Sequence, residues 1–123
     1  SILSFFKGKT MDIRTHTVEG ITVIELTGRF TAAVAPQLVD LLQRTADKNN
    51  AQIVVDLGGV SFIDSSGLSA LVLGMKRCRE NEGDLRLCRL QTPVRMIFEL
   101  TRLHQAFEIH GDEGAAVRAF ARA

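Results

Sequence analysis

The chain has 123 residues, 46% of them apolar and 24% charged, with a formal net charge of +1. This is the length of one domain and the balance of a globular chain that buries a single core. A charge so close to zero sets up no field to capture nucleic acid or an anionic membrane, and with no Trp, no Tyr and seven scattered Phe there is no stacking platform for single-stranded nucleic acid.

Ser1 to Thr10 hold Ile2, Leu3, Phe5 and Phe6 and then Lys7 and Lys9, without the cleavage pattern of a signal peptide. Two readings stand for residues 1–10: a leader ahead of a natural start at Met11, or a short amphipathic docking segment. Gly8-Lys9-Thr10 has the ending of a phosphate-binding loop, but Leu3 stands where that motif requires Gly.

Residues 11–123 read as one domain. A weak strand over 12–18 meets a two-residue turn, Glu19-Gly20, and a better strand over 21–27 that Gly28 is expected to break. A helix follows over 33–47, with Pro36 in its first turn, Leu38, Leu41 and Leu42 on one face, and Asn49-Asn50 ending it. The β-branched run Ile53-Val54-Val55 predicts a central strand covered on both faces and closed by Gly58-Gly59. A helix over 66–82 carries Leu68, Leu71, Val72, Met75 and Cys78 at helical spacing, with Gly83 just past its end. Leu85 to Cys88 is a strand. Thr92-Pro93 predicts a cap and first-turn proline for a helix with Val94, Ile97, Phe98 and Leu100. Phe107 and Ile109 suggest a short edge strand, and Asp112 caps a last helix with Ala116, Val117 and Phe120 inside. This alternation predicts an α/β fold, one mixed β-sheet of four to five strands packed with about four helices.

Cys78 and Cys88 sit in apolar-periodic segments without metal-ligand spacing to any His, so both read as small buried hydrophobes in a reducing, cytoplasmic setting. No apolar run reaches the ~18 residues that span a bilayer, so membrane insertion is not expected. Without a Gly-x-Ser-x-Gly elbow, and with His16, His104 and His110 isolated, the serine hydrolase pattern is missing and no enzyme is expected.

The segment Phe62-Ile63-Asp64-Ser65-Ser66-Gly67-Leu68 joins the buried strand to its helix. Asp and Ser there satisfy the orphan donors of a first helical turn, which is one reading. The other is a functional loop. No Glu or Gln completes a capping box, Gly67 costs ~1 kcal/mol in a first turn, and open sheets place ligands after buried strands. A glycine there suggests a close backbone approach of the kind partner or phosphate contacts need. The residues alone leave both readings open.

In its context the segment resembles the signature of the STAS domain of bacterial anti-sigma factor antagonists. The likeness runs from about Met11 to Phe120 and includes Val54-Val55-Asp56-Leu57, the helix Thr92 to Leu100, and Leu103. It implies that Ser65 is a phosphate acceptor for a partner anti-sigma factor serine kinase, that a PP2C-type phosphatase reverses the reaction, and that the unphosphorylated form binds the kinase. It implies further that Asp64, Ser66, Gly67, Leu68 and Thr31 belong to the partner-binding surface, and that the chain is a substrate with no cofactor of its own. After Gly28-Arg29-Phe30 the family commonly carries an Asp; here Thr31 offers a hydroxyl able to cap the next helix, and no carboxylate. The alternative function is a STAS binding or scaffold module, without phosphorylation, in a signalling or membrane transport complex.

Overall fold

A computed structural model describes residues 4–7, 11–47 and 49–121. In chain order these form β1 (Ser4–Lys7), β2 (Met11–Val18), β3 (Ile21–Phe30), α1 (Ala35–Thr45), β4 (Gln52–Ile63), α2 (Ser65–Glu80), β5 (Asp84–Cys88), α3 (Thr92–Leu100), a 3-10 turn (Leu103–Gln105), β6 (Ile109–His110) and α4 (Glu113–Ala121). The six strands lie in sequence order across one sheet. β1, β2 and β3 are antiparallel, while β3 to β6 run parallel.

This order dictates where the helices go. Each parallel step needs a crossover, crossovers are right-handed, and a strand order that never reverses therefore stacks α1, α2 and α3 on the same face. Their buried residues, among them Leu38, Leu71 and Phe98, join Ile24, Ile53, Val55, Leu85 and Leu87 in the main core. α4 follows the last strand and covers the other face, where Ala116, Val117 and Phe120 pack on Ile21, Val23, Val54 and Cys88. Val54 and Val55 thus face opposite cores, as expected of a central strand. Five of the six strands lie within 11–123, and the sixth, β1, comes from residues 4–7. That part of the 1–10 segment pairs with β2, Ser4 opposite Thr15 through Lys7 opposite Asp12; the rest of the segment lies outside the described residues.

Several expected boundaries move. Glu19 (φ 52) and Gly20 (φ 80) form the predicted turn, and Val18 pairs with Ile21 across it. Gly28 does not end β3, nor do Gly58-Gly59 end β4, which runs 12 residues to Ile63. The register between the two strands slips twice, between Glu25 and Thr27 and between Gly28 and Arg29. These glycines therefore mark bulges rather than strand ends. A Cβ at Gly59 would lie 2.6 Å from Thr27 Oγ1 and 2.9 Å from the Leu26 carbonyl. Thr92 is already helical and caps nothing by its side chain; Gln91 is the N-cap of α3, and its Nε2 donates to the Gly58 carbonyl at 2.7 Å. Asp112 does cap α4, accepting from Ala115 N at 2.7 Å.

Candidate functional site

Beyond the second bulge, β3 and β4 stay paired to their last residues, Phe30 opposite Ile63. The β3–α1 loop and the start of α2 consequently emerge side by side. Asp64 joins them. Its backbone N–H donates to the Phe30 carbonyl at 3.1 Å. One carboxylate oxygen accepts from Gly67 N at 3.0 Å, the N-cap bond of α2, and the other accepts from Ala32 N at 3.1 Å in the neighbouring loop. The N-cap reading is correct as far as it goes, but this cap also fixes the loop that carries Thr31.

Gly67 is needed for an internal reason. A Cβ there would sit 2.7 Å from Ile63 Cγ1 and 2.8 Å from the Phe30 carbonyl, which is backbone and cannot move aside. The close approach expected at Gly67 is thus between α2 and the end of β3. Gly67 and Leu68 are both buried, so they shape the loop from beneath. Ser65 is exposed, Ser66 and Asp64 half-buried, and Thr31 half-buried beside them. Thr31 Oγ1 accepts from Ala33 N at 3.3 Å, closing a turn within the loop; α1 itself starts after Val34 with no side-chain cap. The expected helix cap at Thr31 is therefore a turn contact four residues before the first residue of the helix.

Ser65 and Ser66 open onto a groove of about 620 Å³ between α1 and α2. Pro36 and Val39 form one wall, Ser69 and Leu73 continue the other, and Leu73 is 46% exposed. The sequence signature stops short of Ser69 and Leu73. Their spacing of four from Ser65 and from each other places all three on one outward face of α2, which is the signal that could have found them. Among the described residues no basic side chain lines the groove, and the ionisable one that does is Asp40, paired in solvent with Arg44 at 2.9 Å. A phosphate on Ser65 would meet the donors of the first turn of a 16-residue helix and, against them, the Asp64 carboxylate that caps it.

Cys78 and Cys88 are buried, free thiols, and burial pushes both up to about 12. They pack in the two cores and carry no reactive chemistry at neutral pH. Among the described residues no helix is long and apolar enough to cross a membrane.

Comparison with known proteins agrees with this geometry. The STAS domain profile matches residues 12–116. The protein BtrV of Bordetella bronchiseptica, described as an anti-sigma factor antagonist, is 33% identical over 110 residues, covering 89% of this chain and 95% of BtrV. The anti-sigma-B factor antagonist of Listeria monocytogenes is 29% identical over 105 residues, covering 85% and 91% of the two chains. Among solved structures, the anti-sigma factor antagonist SpoIIAA in its unphosphorylated form superposes with a TM-score of 0.79 at 19% identity, over 90% of this chain and 97% of that one, which shows the shared fold. With a profile match over most of its length, a bulged strand pair and a capped helix start of this kind, the chain belongs to the STAS domain family.

Proposed function

We propose that this protein is a partner-switching anti-sigma factor antagonist whose state is set at Ser65. Unphosphorylated, it binds an anti-sigma factor serine kinase through Ser65, Ser66 and Thr31 and the α1–α2 groove; phosphorylation of Ser65 releases it, and a PP2C-type phosphatase resets it. The observation that supports this most directly is the exposure of Ser65 at the first residue of α2, beside a cap whose two oxygens are both committed. The relatives reported above are described as anti-sigma factor antagonists, and a protein of the same fold, the Bacillus cell fate determinant SpoIIAA, has been solved in a phosphorylated form.

The physics is that of a substrate. A serine hydroxyl is a weak nucleophile, and the loop offers it only Asp64, already holding two N–H groups, so base, magnesium and ATP come from the kinase. Transfer adds about −1.5 to −2 charges. In an interface fitted to a neutral hydroxyl, desolvating the phosphate or setting it against like charge on the partner costs several kcal/mol, and each ~1.4 kcal/mol is tenfold in affinity. Asp64, Gly67 and Leu68 act by holding the loop. Thr31 contributes a hydroxyl rather than a carboxylate, which fits a partner kinase matched to it.

Incubation with the cognate kinase and ATP, followed by intact-mass analysis and peptide mapping, tests the proposal. One phosphate at Ser65 in the wild type and none in Ser65→Ala is the expected result. Phosphorylation of Ser65→Ala at the wild-type level contradicts the assignment. Tight kinase-independent binding of a transport or signalling component, with no phosphate taken up, would select the scaffold alternative.

A further inference from the structure

The face of the sheet opposite Ser65 carries a row of ionisable side chains whose role the switch does not explain. Glu25 on β3 pairs with Arg14 on β2, so His16, two residues on, projects from the same face. Glu25 also pairs directly with Asp56 on β4. Glu113, in the first turn of α4, closes over this row with its Oε1 3.8 Å from His16 Nε2, beyond hydrogen-bond distance. One ligating atom from each of His16, Glu25 and Glu113 lies within 4.8 Å of the others.

Asp56 has a cation of its own in this row. Asp56 is 2% exposed, and Arg89 Nε donates to both of its oxygens, at 3.0 and 3.1 Å. That guanidinium therefore serves Asp56. Glu25 and Glu113 lie close together with Asp56 alongside and the His16 imidazole beside them, while Arg14 stands opposite Glu25 across the strands.

We propose that His16, Glu25 and Glu113 form a binding site for a divalent first-row transition ion, with Zn²⁺ the best-suited probe. An imidazole nitrogen with two carboxylate oxygens is a borderline donor set, which favours zinc and its neighbours over calcium or magnesium. Bonds of about 2.0–2.2 Å around zinc bring its ligands closer together than these donors now stand. The flexible Glu25 and Glu113 side chains cover that difference by rotation. The side chains of His16 and Glu113 are 24% and 27% exposed, so an ion can enter and water can fill the remaining position. The three donors come from β2, β3 and α4, and a bound ion would fasten α4 to the antiparallel half of the sheet.

Calorimetric titration of the full chain with ZnCl₂, beside thermal melts, tests this. The expected result is one ion per chain and a higher melting temperature with Zn²⁺ but not with Mg²⁺. His16→Ala and Glu113→Gln should each weaken the affinity at least tenfold while keeping the wild-type circular dichroism spectrum. His110→Ala, on β6, should bind like the wild type. Co²⁺ in place of Zn²⁺ should give a spectrum without a thiolate charge-transfer band, because Cys78 and Cys88 are not ligands. Failure of the wild type to bind Zn²⁺, wild-type affinity in His16→Ala or Glu113→Gln, or a thiolate band would each overturn the proposal and leave His16 and Glu113 as an ion pair only.

Discussion

The two faces of the sheet solve opposite electrostatic problems. On the α1–α2 side, polar groups at the Ser65 loop are satisfied mainly by backbone. Asp64 takes one N–H from its own helix and one from the neighbouring loop, and the groove beyond is poor in charge. On the α4 side, Glu25, Asp56 and Glu113 stand together with Arg89 hydrogen-bonded to Asp56. The first arrangement holds a geometry while leaving a neutral hydroxyl exposed, which is where the proposed switch adds its charge. The second gathers carboxylates in one place, with Arg89 committed to Asp56.

This contrast can be broken from either side. The largest expected effect is chemical: with thiols pushed up to about 12 by burial in the two cores, alkylation of native Cys78 and Cys88 at pH 8 should run about a thousandfold slower than in denaturant, where the thiol pKa is about 8.5. The sign follows from the shift. The raised folded-state values add stability that is complete below the unfolded thiol value and lost as pH rises toward 12, so labelling should quicken only as the pH climbs well above 9. Rapid stoichiometric labelling at pH 8 would show that one core opens readily.

Gly67→Val comes next. Its branched side chain collides with Ile63 and the Phe30 carbonyl, and a loss of about 3 kcal/mol in urea unfolding is expected. Arg89→Ala should cost about 2 kcal/mol, because it removes the partner of a buried carboxylate on the opposite face; the same measurement checks it. Asp64→Ala should cost about 1–2 kcal/mol by removing the cap of α2 and the link to Ala32. Ser65→Ala should stay within about 0.5 kcal/mol of wild type, since an exposed hydroxyl contributes little to the fold. A Ser65→Ala loss as large as that of Asp64→Ala would mean that Ser65 is structural and would undercut the contrast.

The fold was legible because the strand and helix periods alternate cleanly from Ile21 to Phe120, and the capped start of α2 was legible because Asp64, Ser65 and Gly67 are local to one another. What could not be read was set by pairing. Gly28 and Gly58-Gly59 look like strand ends until the partner strand shows them to be bulges, and the bond from Ala32 N to Asp64 spans 32 positions of sequence. Gly67 signalled a close approach, but only the position of Phe30 shows that the approach is internal. The row of His16, Glu25, Asp56 and Glu113 depends on the register of three strands and the docking of α4, and nothing local to any one of those residues shows that they meet. β1 was hidden for a similar reason, since four residues pair only because β2 offers them an edge.

The claim at the centre of this account is that charge on Ser65 disconnects the partner without unfolding the domain. The most direct measurement is the affinity of the purified partner kinase for the unphosphorylated chain and for the chain phosphorylated at Ser65, with circular dichroism melts of both forms. The account predicts a loss of about a hundredfold or more in affinity with melting temperatures that stay close together. Equal affinities, or a phosphorylated form that binds poorly only because it has unfolded, would contradict it.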